Sequence, residues 1–431
     1  MAALRSAGHV VASAKVGPDF IDPGYHSLAT GRPPRNLDPW ICGPSAIGPL
    51  AGRAGVGADI TVIEGVMGLF DGSVDGAPSS TADVAGMLTA PVVLVVDGSS
   101  MSASIAALVA GYRDHQPGLR VAGVILNRVG SDDHVKLLRE ALDAIAMPVL
   151  GALKRDDTFA WRDRHLGLVP VAEQPTVVAD GLKTLAAAIT AGIDLDQLVR
   201  LARSAPATSV EPVSLPAPVI EPSGVRPRFA IAGGRAFTFV YQDNIEALEA
   251  AGAEVISFDP LSDDRLPEGV SGLIAGGGFP EVFAGGLAEN RSLLEDLRAR
   301  VDAGLVVWAE CAGLLWLAQS LADQGGVSHR LAGLVATNAA MGERLTLGYR
   351  EATLQTDTPI GKAGTVLRGH EFHYSTTEPG GSALELTSRF GQRTEGFATP
   401  TLFATYLHLH LGGDPTPAAH FVSRCASGDA R

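Results

Sequence analysis

Cysteine is scarce: Cys42, Cys311 and Cys425 are the only three in a chain of 431 residues. So few thiols argue against a disulfide framework. In a reducing compartment a single well-placed cysteine serves better as a nucleophile than as a cross-link. No run reaches the roughly 18 uninterrupted apolar residues of a membrane span. The first residues lack the charged start and long apolar stretch of a signal peptide. A cytoplasmic protein with no membrane partner is the resulting expectation. Basic residues are also in short supply, 33 against 47 acidic, for a formal charge of −14. That balance argues against general nucleic-acid binding, which needs basic surface to displace counterions. It leaves room for a small anion in a local basic pocket. One further absence matters later: no GxxxxGK[ST] phosphate loop occurs anywhere in the sequence.

Hydrophobic residues make up 46% of the chain, enough for sizeable cores, and this length calls for two or three domains. Up to residue 203, apolar runs alternate with amphipathic helical patterns. "VVASAKV", "ADITVIEG", "APVVLVVDG", "LRVAGVILNRV" and "MPVLGALKR" read as buried strands, "SASIAALVAGYRDH" and "HVKLLREALDAI" as helices. Such alternation indicates a mainly parallel sheet covered on both faces. Residues 204–227 are rich in Pro, Ser, Ala and Val without helical period and read as a linker. From 228 to 431 the alternation resumes with "RFAIAGG", "AEVISFDP", "VSGLIAGGG", "GLVVWAEC" and "LFATYLHLHL". The expected fold class is therefore α/β in two domains.

"LVVWAECAGLLWLAQSL" carries the sharpest chemical signal. A buried strand runs into Cys311, and an apolar helix is expected at once after it. The thiol then sits in a tight strand-to-helix turn, open to attack a carbonyl. A buried structural cysteine is the alternative. "LIAGGGFPE" ends a strand in Gly276, Gly277 and Gly278. The N–H groups of Gly277, Gly278 and Ala312 are candidate oxyanion donors. "ATYLHLHL" places His408 and His410 on one face of a strand, so one is a candidate base and the other a satisfied ring. "GHEFHYS" (369–375) offers His370, Glu371 and His373, but at a spacing that fits no common zinc site.

In the first half, Asp19 and Asp22 bracket a Pro-flanked turn after a strand, Glu64 ends a strand, and Asp71 follows in a Gly-bounded loop. Strand C-terminal ends in an open parallel sheet are where ligands bind. Carboxylates gathered there need a cation, and oxygen ligands of this kind suit Mg²⁺ with nucleotide phosphates. Each aspartate taken singly is equally a turn residue.

The second half resembles the class I glutamine amidotransferase domain. The resemblance implies that Cys311 attacks the glutamine side-chain amide, with His408 as base. The place two residues after that histidine, a glutamate in many such domains, holds His410 here. This matches the cobyric acid and cobyrinate synthetase branch and leaves open what orients His408. "GHEFHYS" fits the same branch and reads as structural or interdomain support. "KVGPDFIDPGYH", "RNLDPW", "VIEGVMGLFDG", "GVILNRVG" and "RHLGLVP" resemble the dethiobiotin-synthetase-type ATP domain of the cobyrinic acid and hydrogenobyrinic acid a,c-diamide synthases.

That family resemblance spans nearly the whole chain. It implies ATP- and glutamine-dependent amidation of the a and c acetate groups of a corrinoid polycarboxylate, through an acyl phosphate. By motif position Glu64 and Asp71 would hold Mg²⁺–ATP, and Lys15, Asp19 and Asp22 would line the same site. Asn127 would meet the base, and ammonia would have to cross the domain interface. Arg155, Arg162, Arg164 and His165 are candidates for holding the ring's carboxylates. A cobyric acid synthase-type amidase and a non-catalytic regulatory protein with a glutaminase-like half are the alternatives. A homodimer is expected on general grounds.

The resemblance also places a strand and a phosphate loop ahead of a helix like "MAALRSAGH". The expectation is that Met1 is an internal methionine and that roughly 20–30 residues, including the first strand of a P-loop-NTPase-like sheet, are missing. A chain so shortened is expected to bind ATP poorly and to aggregate.

Overall fold

The computed structural model describes residues 1–159, 170–206 and 226–426. Most of the predicted linker, and Arg162, Arg164 and His165, lie outside the described residues. The chain divides into two compact units, Met1–Pro212 and Val213–Arg431.

In the first unit the strands are β1 (Val11–Val16), β2 (Arg35–Leu37), β3 (Ile60–Glu64), β4 (Val92–Asp97), β5 (Val121–Val129) and β6 (Val149–Lys154). All their pairings are parallel, as βαβ alternation requires. They form two three-stranded sheets, β2-β1-β3 and β4-β5-β6, and among the described residues β3 does not pair with β4. The single sheet read from the alternation is thus two. The helix Ala2–Ser6 stands where "MAALRSAGH" reads as helical, and Gly8 follows it at φ 95°. Leu195, Leu198, Val199 and Ala202 form an apolar stripe on the helix Leu195–Ala202 and pack on Leu4, Val11 and Ile60. Val124, Leu126, Leu138 and Leu142 sit at the centre of the other core.

The second unit holds β7 (Arg228–Ala232), β8 (Glu254–Phe258), β9 (Val270–Ala275) and β10 (Val306–Glu310), then β11 (Ala318–Ala322), β12 (Ser328–Arg330), β13 (Val335–Leu354), β14 (Val366–Glu378), β15 (Leu384–Ser388) and β16 (Gly391–Glu395). β17 (Phe397–Ala398), β18 (Leu402–Thr405) and β19 (His408–Leu409) close the sequence of strands. One sheet has the order β17-β18-β10-β9-β7-β8, parallel except at the β17 edge. β10 lies between β9 and β18 and is buried along its whole length. A second, mixed sheet follows the path β12-β11-β13-β14-β19 and is mostly antiparallel. Reading apolar runs alone does not reveal it. β13 alternates buried and exposed residues over much of its length, as a sheet with one wet face does. "LFATYLHLHL" is accordingly not one strand. Its first part, β18, belongs to the parallel sheet, and β19 pairs with β14.

Candidate active site

The end of β10 is a strained elbow. Cys311 adopts φ 47°, ψ −98°, a conformation that residues with a Cβ rarely take. Its N–H donates to the Thr405 carbonyl at 2.7 Å, tying the elbow to the end of β18. Gly313 donates to the Gly276 carbonyl at 3.0 Å, and any Cβ on Gly313 would run into the Ala275 carbonyl. The turn therefore requires glycine there. The helix after the elbow, Ala312–Leu317, is shorter than its sequence implies. It has six residues, and the chain then enters β11. So short a helix contributes only a weak dipole, and the groups facing the sulfur matter more.

Those groups come from three strands. His408 at the start of β19 interacts directly with the Cys311 side chain. The His408 ring also abuts Gly277, where an added Cβ would fall 2.5 Å from the ring's Cε1. Burial pushes the His408 pKa down, but the facing Cys311 sulfur and the Glu310 carboxylate outweigh it and lift it to about 9. Cys311 Sγ lies 3.9 Å from the Phe372 carbonyl of β14. His370 stacks on His408, ring centroids 5.0 Å apart, because β14 and β19 pair these residues directly. Burial, with the charges of His408, His410 and Arg350, pushes the His370 pKa well below its ordinary value. "GHEFHYS", expected to be mere support, thus forms one wall of the site.

Glu371 points into a basic clamp. Arg350 Nε donates to it at 2.6 Å and Arg393 also hydrogen-bonds to it. Burial opposes its ionisation, but His373 and Arg393 prevail and hold its pKa at about 2. Glu395 is the converse. Burial, with the Glu371 charge, raises it to about 7 although Thr405 and the Tyr406 N–H hydrogen-bond to it.

Two readings from sequence need correction. His410 points to a different partner; its Nε2 is 3.8 Å from Asp243, and its ring lies tilted against Tyr241, centroids 4.4 Å apart. The break between β18 and β19 ends the simple alternation that put both histidines on one face. Gly277 is not a free oxyanion donor either, because its N–H donates to the Phe239 carbonyl at 3.1 Å. Gly278 and Ala312 are left as the candidate donors. Glu310 belongs to no motif that the sequence offers, yet a carboxylate ending the buried strand "LVVWAE" is itself anomalous.

In the first unit, parallel register brings Lys15 and Glu64 side by side at the ends of β1 and β3. Lys15 Nζ reaches Asp22 at 2.6 Å, Glu64 at 3.2 Å and the Gly65 carbonyl at 2.9 Å. The helix Ile21–Thr30 presents Asp22 and His26 one turn apart. Asp22 therefore meets Lys15, while His26 Nε2 meets Glu64 at 2.5 Å. Asn36 Nδ2 donates to the carbonyls of Gly17 and Asp19, fixing the turn that carries Asp19. Burial and the neighbouring Asp22 raise Asp19 to about 6. Burial likewise works against ionised Glu64, but His26 and Lys15 overcome it and leave the pKa lowered.

Asp71 closes its own loop by accepting from the Gly68 N–H at 2.9 Å. Asn127 lies on β5, in the other sheet, in register with Asp97, and its Oδ1 accepts from the Arg128 N–H. Arg155 is exposed after β6. Among the described residues no three His, Cys, Asp or Glu side chains gather closely enough to hold a metal alone. Mg²⁺ arriving with phosphates needs only one or two carboxylates. One ammonium facing Asp19, Asp22 and Glu64 leaves negative charge to be balanced, so the oxygen donors fit such an ion. No helix among the described residues is long and apolar enough to cross a membrane.

The comparisons with known proteins fall on the same two units. Residues 228–416 match the model of the CobB/CobQ-like glutamine amidotransferase domain, and residues 1–168 that of the CobQ/CobB/MinD/ParA nucleotide binding domain. The class is thus a glutamine amidotransferase joined to a nucleotide-binding unit. The chain is 46% identical to a hydrogenobyrinate a,c-diamide synthase of Streptomyces coelicolor, over 99% of this chain and 93% of that one. It is 42% identical to a cobyrinate a,c-diamide synthase of Synechococcus, over 100% and 95%. A hydrogenobyrinate a,c-diamide synthase of Mycobacterium tuberculosis is also 42% identical, over 100% and 94%. The chain belongs to the a,c-diamide synthase family, the glutamine-dependent carbon–nitrogen ligases of cobalamin biosynthesis.

Proposed function

We propose that this protein amidates the a and c acetate side chains of hydrogenobyrinate or cobyrinate, using ATP and the amide nitrogen of glutamine. The observation that carries the reading is the Cys311 elbow with His408 facing its thiol. Cys311 Sγ attacks the glutamine side-chain carbonyl, and the N–H groups of Gly278 and Ala312 receive the developing oxyanion. His408 takes the thiol proton and returns it to the leaving nitrogen, so ammonia departs and a thioester remains for water to cleave.

In the first unit a substrate carboxylate takes the γ-phosphoryl group of ATP, and ammonia displaces phosphate from the resulting acyl phosphate. Lys15 offsets charge on the phosphate or carboxylate, Asp19 and Asp22 line that site, and Asn127 contacts the base. Mg²⁺, held by Glu64, Asp71 and the phosphates, would neutralise charge on the transferring group. A cytoplasmic homodimer belongs to the same proposal.

The test incubates the protein with ATP, Mg²⁺, glutamine and each corrinoid in turn, then weighs the product. Replacement of two carboxyl OH groups by NH₂ is the expected result. Amidation of four other carboxylates would instead indicate the cobyric acid synthase reaction. Glutamate release without any change in the corrinoid would overturn the ligase assignment for this chain.

A further inference from the structure

The amidotransferase site has a base but lacks the glutamate that, in many such domains, follows the histidine by two residues; His410 occupies that place. A histidine that moves protons needs its second nitrogen held, because that contact selects the tautomer and stabilises the imidazolium. Glu310 is placed to do this. It is the residue immediately before Cys311, at the C-terminal end of β10. Its Oε2 lies 3.6 Å from His408 Nδ1, and its Oε1 is 3.4 Å from the Leu409 N–H. The carboxylate thus touches both residues of β19.

We propose that Glu310 is the positioning residue of the thiol site, holding a proton on His408 Nδ1 so that Nε2 exchanges a proton with Cys311. This inference rests on the amidotransferase reading above and deepens it. The carboxylate of the triad would come from the strand that carries the nucleophile rather than from the strand that carries the histidine.

The other groups around His408 do not fill this role. His370 stacks flat on the ring from β14, and burial and neighbouring charge disfavour its cationic form. Arg350, next to His370, is a cation and is engaged by Glu371. His410 lies against Asp243. Cys311 occupies the ring's other side of the exchange. Glu310 is the carboxylate that faces the His408 ring, its Oε2 3.6 Å from Nδ1. Burial raises its pKa, and the facing His408 imidazole works in the opposite direction.

The experiment compares wild type, Glu310→Gln and Glu310→Asp in the full chain by two readouts. One is glutamine hydrolysis across pH. The other is peptide-resolved alkylation of Cys311 by iodoacetamide, which needs no glutamine chemistry. Glu310→Gln is expected to lower kcat on the order of 100-fold with KM nearly unchanged, since the contact acts on proton transfer rather than binding. Its alkaline limb, set by His408, is expected to fall by about one pH unit once the carboxylate is gone. Cys311 alkylation at neutral pH slows about tenfold, and Glu310→Asp, which keeps the charge, recovers part of each effect.

A Glu310→Gln protein with kcat within about twofold of wild type and an unmoved alkaline limb overturns the proposal. If Glu310→Gln does not fold, Glu310→Asp decides. Wild-type alkylation and pH limb in Glu310→Asp overturn the assignment; a slowed alkylation and lowered limb support it. Failure of the amidotransferase reading looks different, because wild type would then release no glutamate while the alkylation difference between variants persisted.

Discussion

The two ionisable clusters of this chain handle charge in opposite ways. Around Cys311 nearly everything is dry: Glu310, His370, Glu371, Glu395 and His408 are all buried. Their protonation is decided by burial and by neighbours at fixed distances: burial carries Glu395 up, while His373 and Arg393 overcome it at Glu371 and hold that group low. Around Lys15 the ammonium is buried while its partner Glu64 keeps 45% of its side chain in solvent. The first arrangement is complete before a neutral amide arrives. The second is open to solvent at Glu64. Preorganised dipoles and charges are worth most in a dry site, whereas an open carboxylate cluster is finished by its ligand's own charges.

The sharpest way to break this comparison is to remove one cluster's chemistry and ask whether the other survives. Cys311→Ala is expected to cut glutamine-dependent amidation by 10⁴-fold or more, on the order seen when a catalytic nucleophile is lost. Amidation driven by added ammonium salt should stay within a few-fold of wild type, read as corrinoid product by mass. Equal loss with both nitrogen sources would mean that the two clusters do not work separately.

Lys15→Met tests the other side. Amidation should fall by roughly 100- to 1,000-fold with either nitrogen source, as when a preorganised cation is removed from phosphoryl transfer. Glutamine hydrolysis should persist. Asp22 and Glu64 lose their common cation, which costs about 2–3 kcal/mol of stability, at the low end for buried pairs because Glu64 is half in water. Urea unfolding followed alongside activity checks both figures.

What the sequence made legible divides along the same line. Parallel strands buried on both faces read as apolar runs, so all the long strands of the first unit and β7 to β10 stand out. Lys15, Asp19, Asp22 and Glu64 follow because parallel sheets place ligands at strand C-termini. Cys311 stands out for the turn it must occupy. β13 and β14 do not, because exposed residues such as Glu343, Arg344, Glu351, Arg368 and Thr376 and buried polar ones such as Arg350, His370 and Glu371 interrupt their apolar pattern. Their contribution to the thiol site, through His370 and Phe372, was hidden with them. Glu310 was hidden differently. Its partner His408 is distant in sequence, and no local spacing announces that pairing. His26 was visible in "DPGYH" but gained meaning only when its helix laid it against Glu64.

The dry cluster makes a pH prediction of its own. Glu395 has its pKa raised to about 7 from 4.5. The stability tied to its protonated form is therefore full below pH 4.5 and is lost as pH rises through 7. Glu371 is depressed to about 2, so its contribution is present above pH 4.5 and is lost as pH falls toward 2. Each shift amounts to about 3 kcal/mol. Glu395→Gln, which mimics the protonated acid toward Thr405 and Tyr406, should shrink the decline between pH 4.5 and 7 in urea midpoints to the part set by Asp19, itself raised to about 6. It should leave the acid limb in place. A decline of unchanged size after the substitution would remove Glu395 as a source.

The smallest expected effect sharpens the assignment within the first unit. Asn127 lies on β5, in a sheet that among the described residues shares no pairing with the one carrying Lys15 and Glu64. Its side-chain oxygen already accepts from the Arg128 N–H. In the proposed contact with the base its amide nitrogen would donate one neutral hydrogen bond, worth about 1 kcal/mol. Asn127→Ala should raise the KM for ATP about fivefold while leaving kcat and glutamine hydrolysis unchanged. An unchanged KM would remove Asn127 from the nucleotide site. A loss of kcat would instead mean that Asn127 acts on phosphoryl transfer, and the base contact would need another donor.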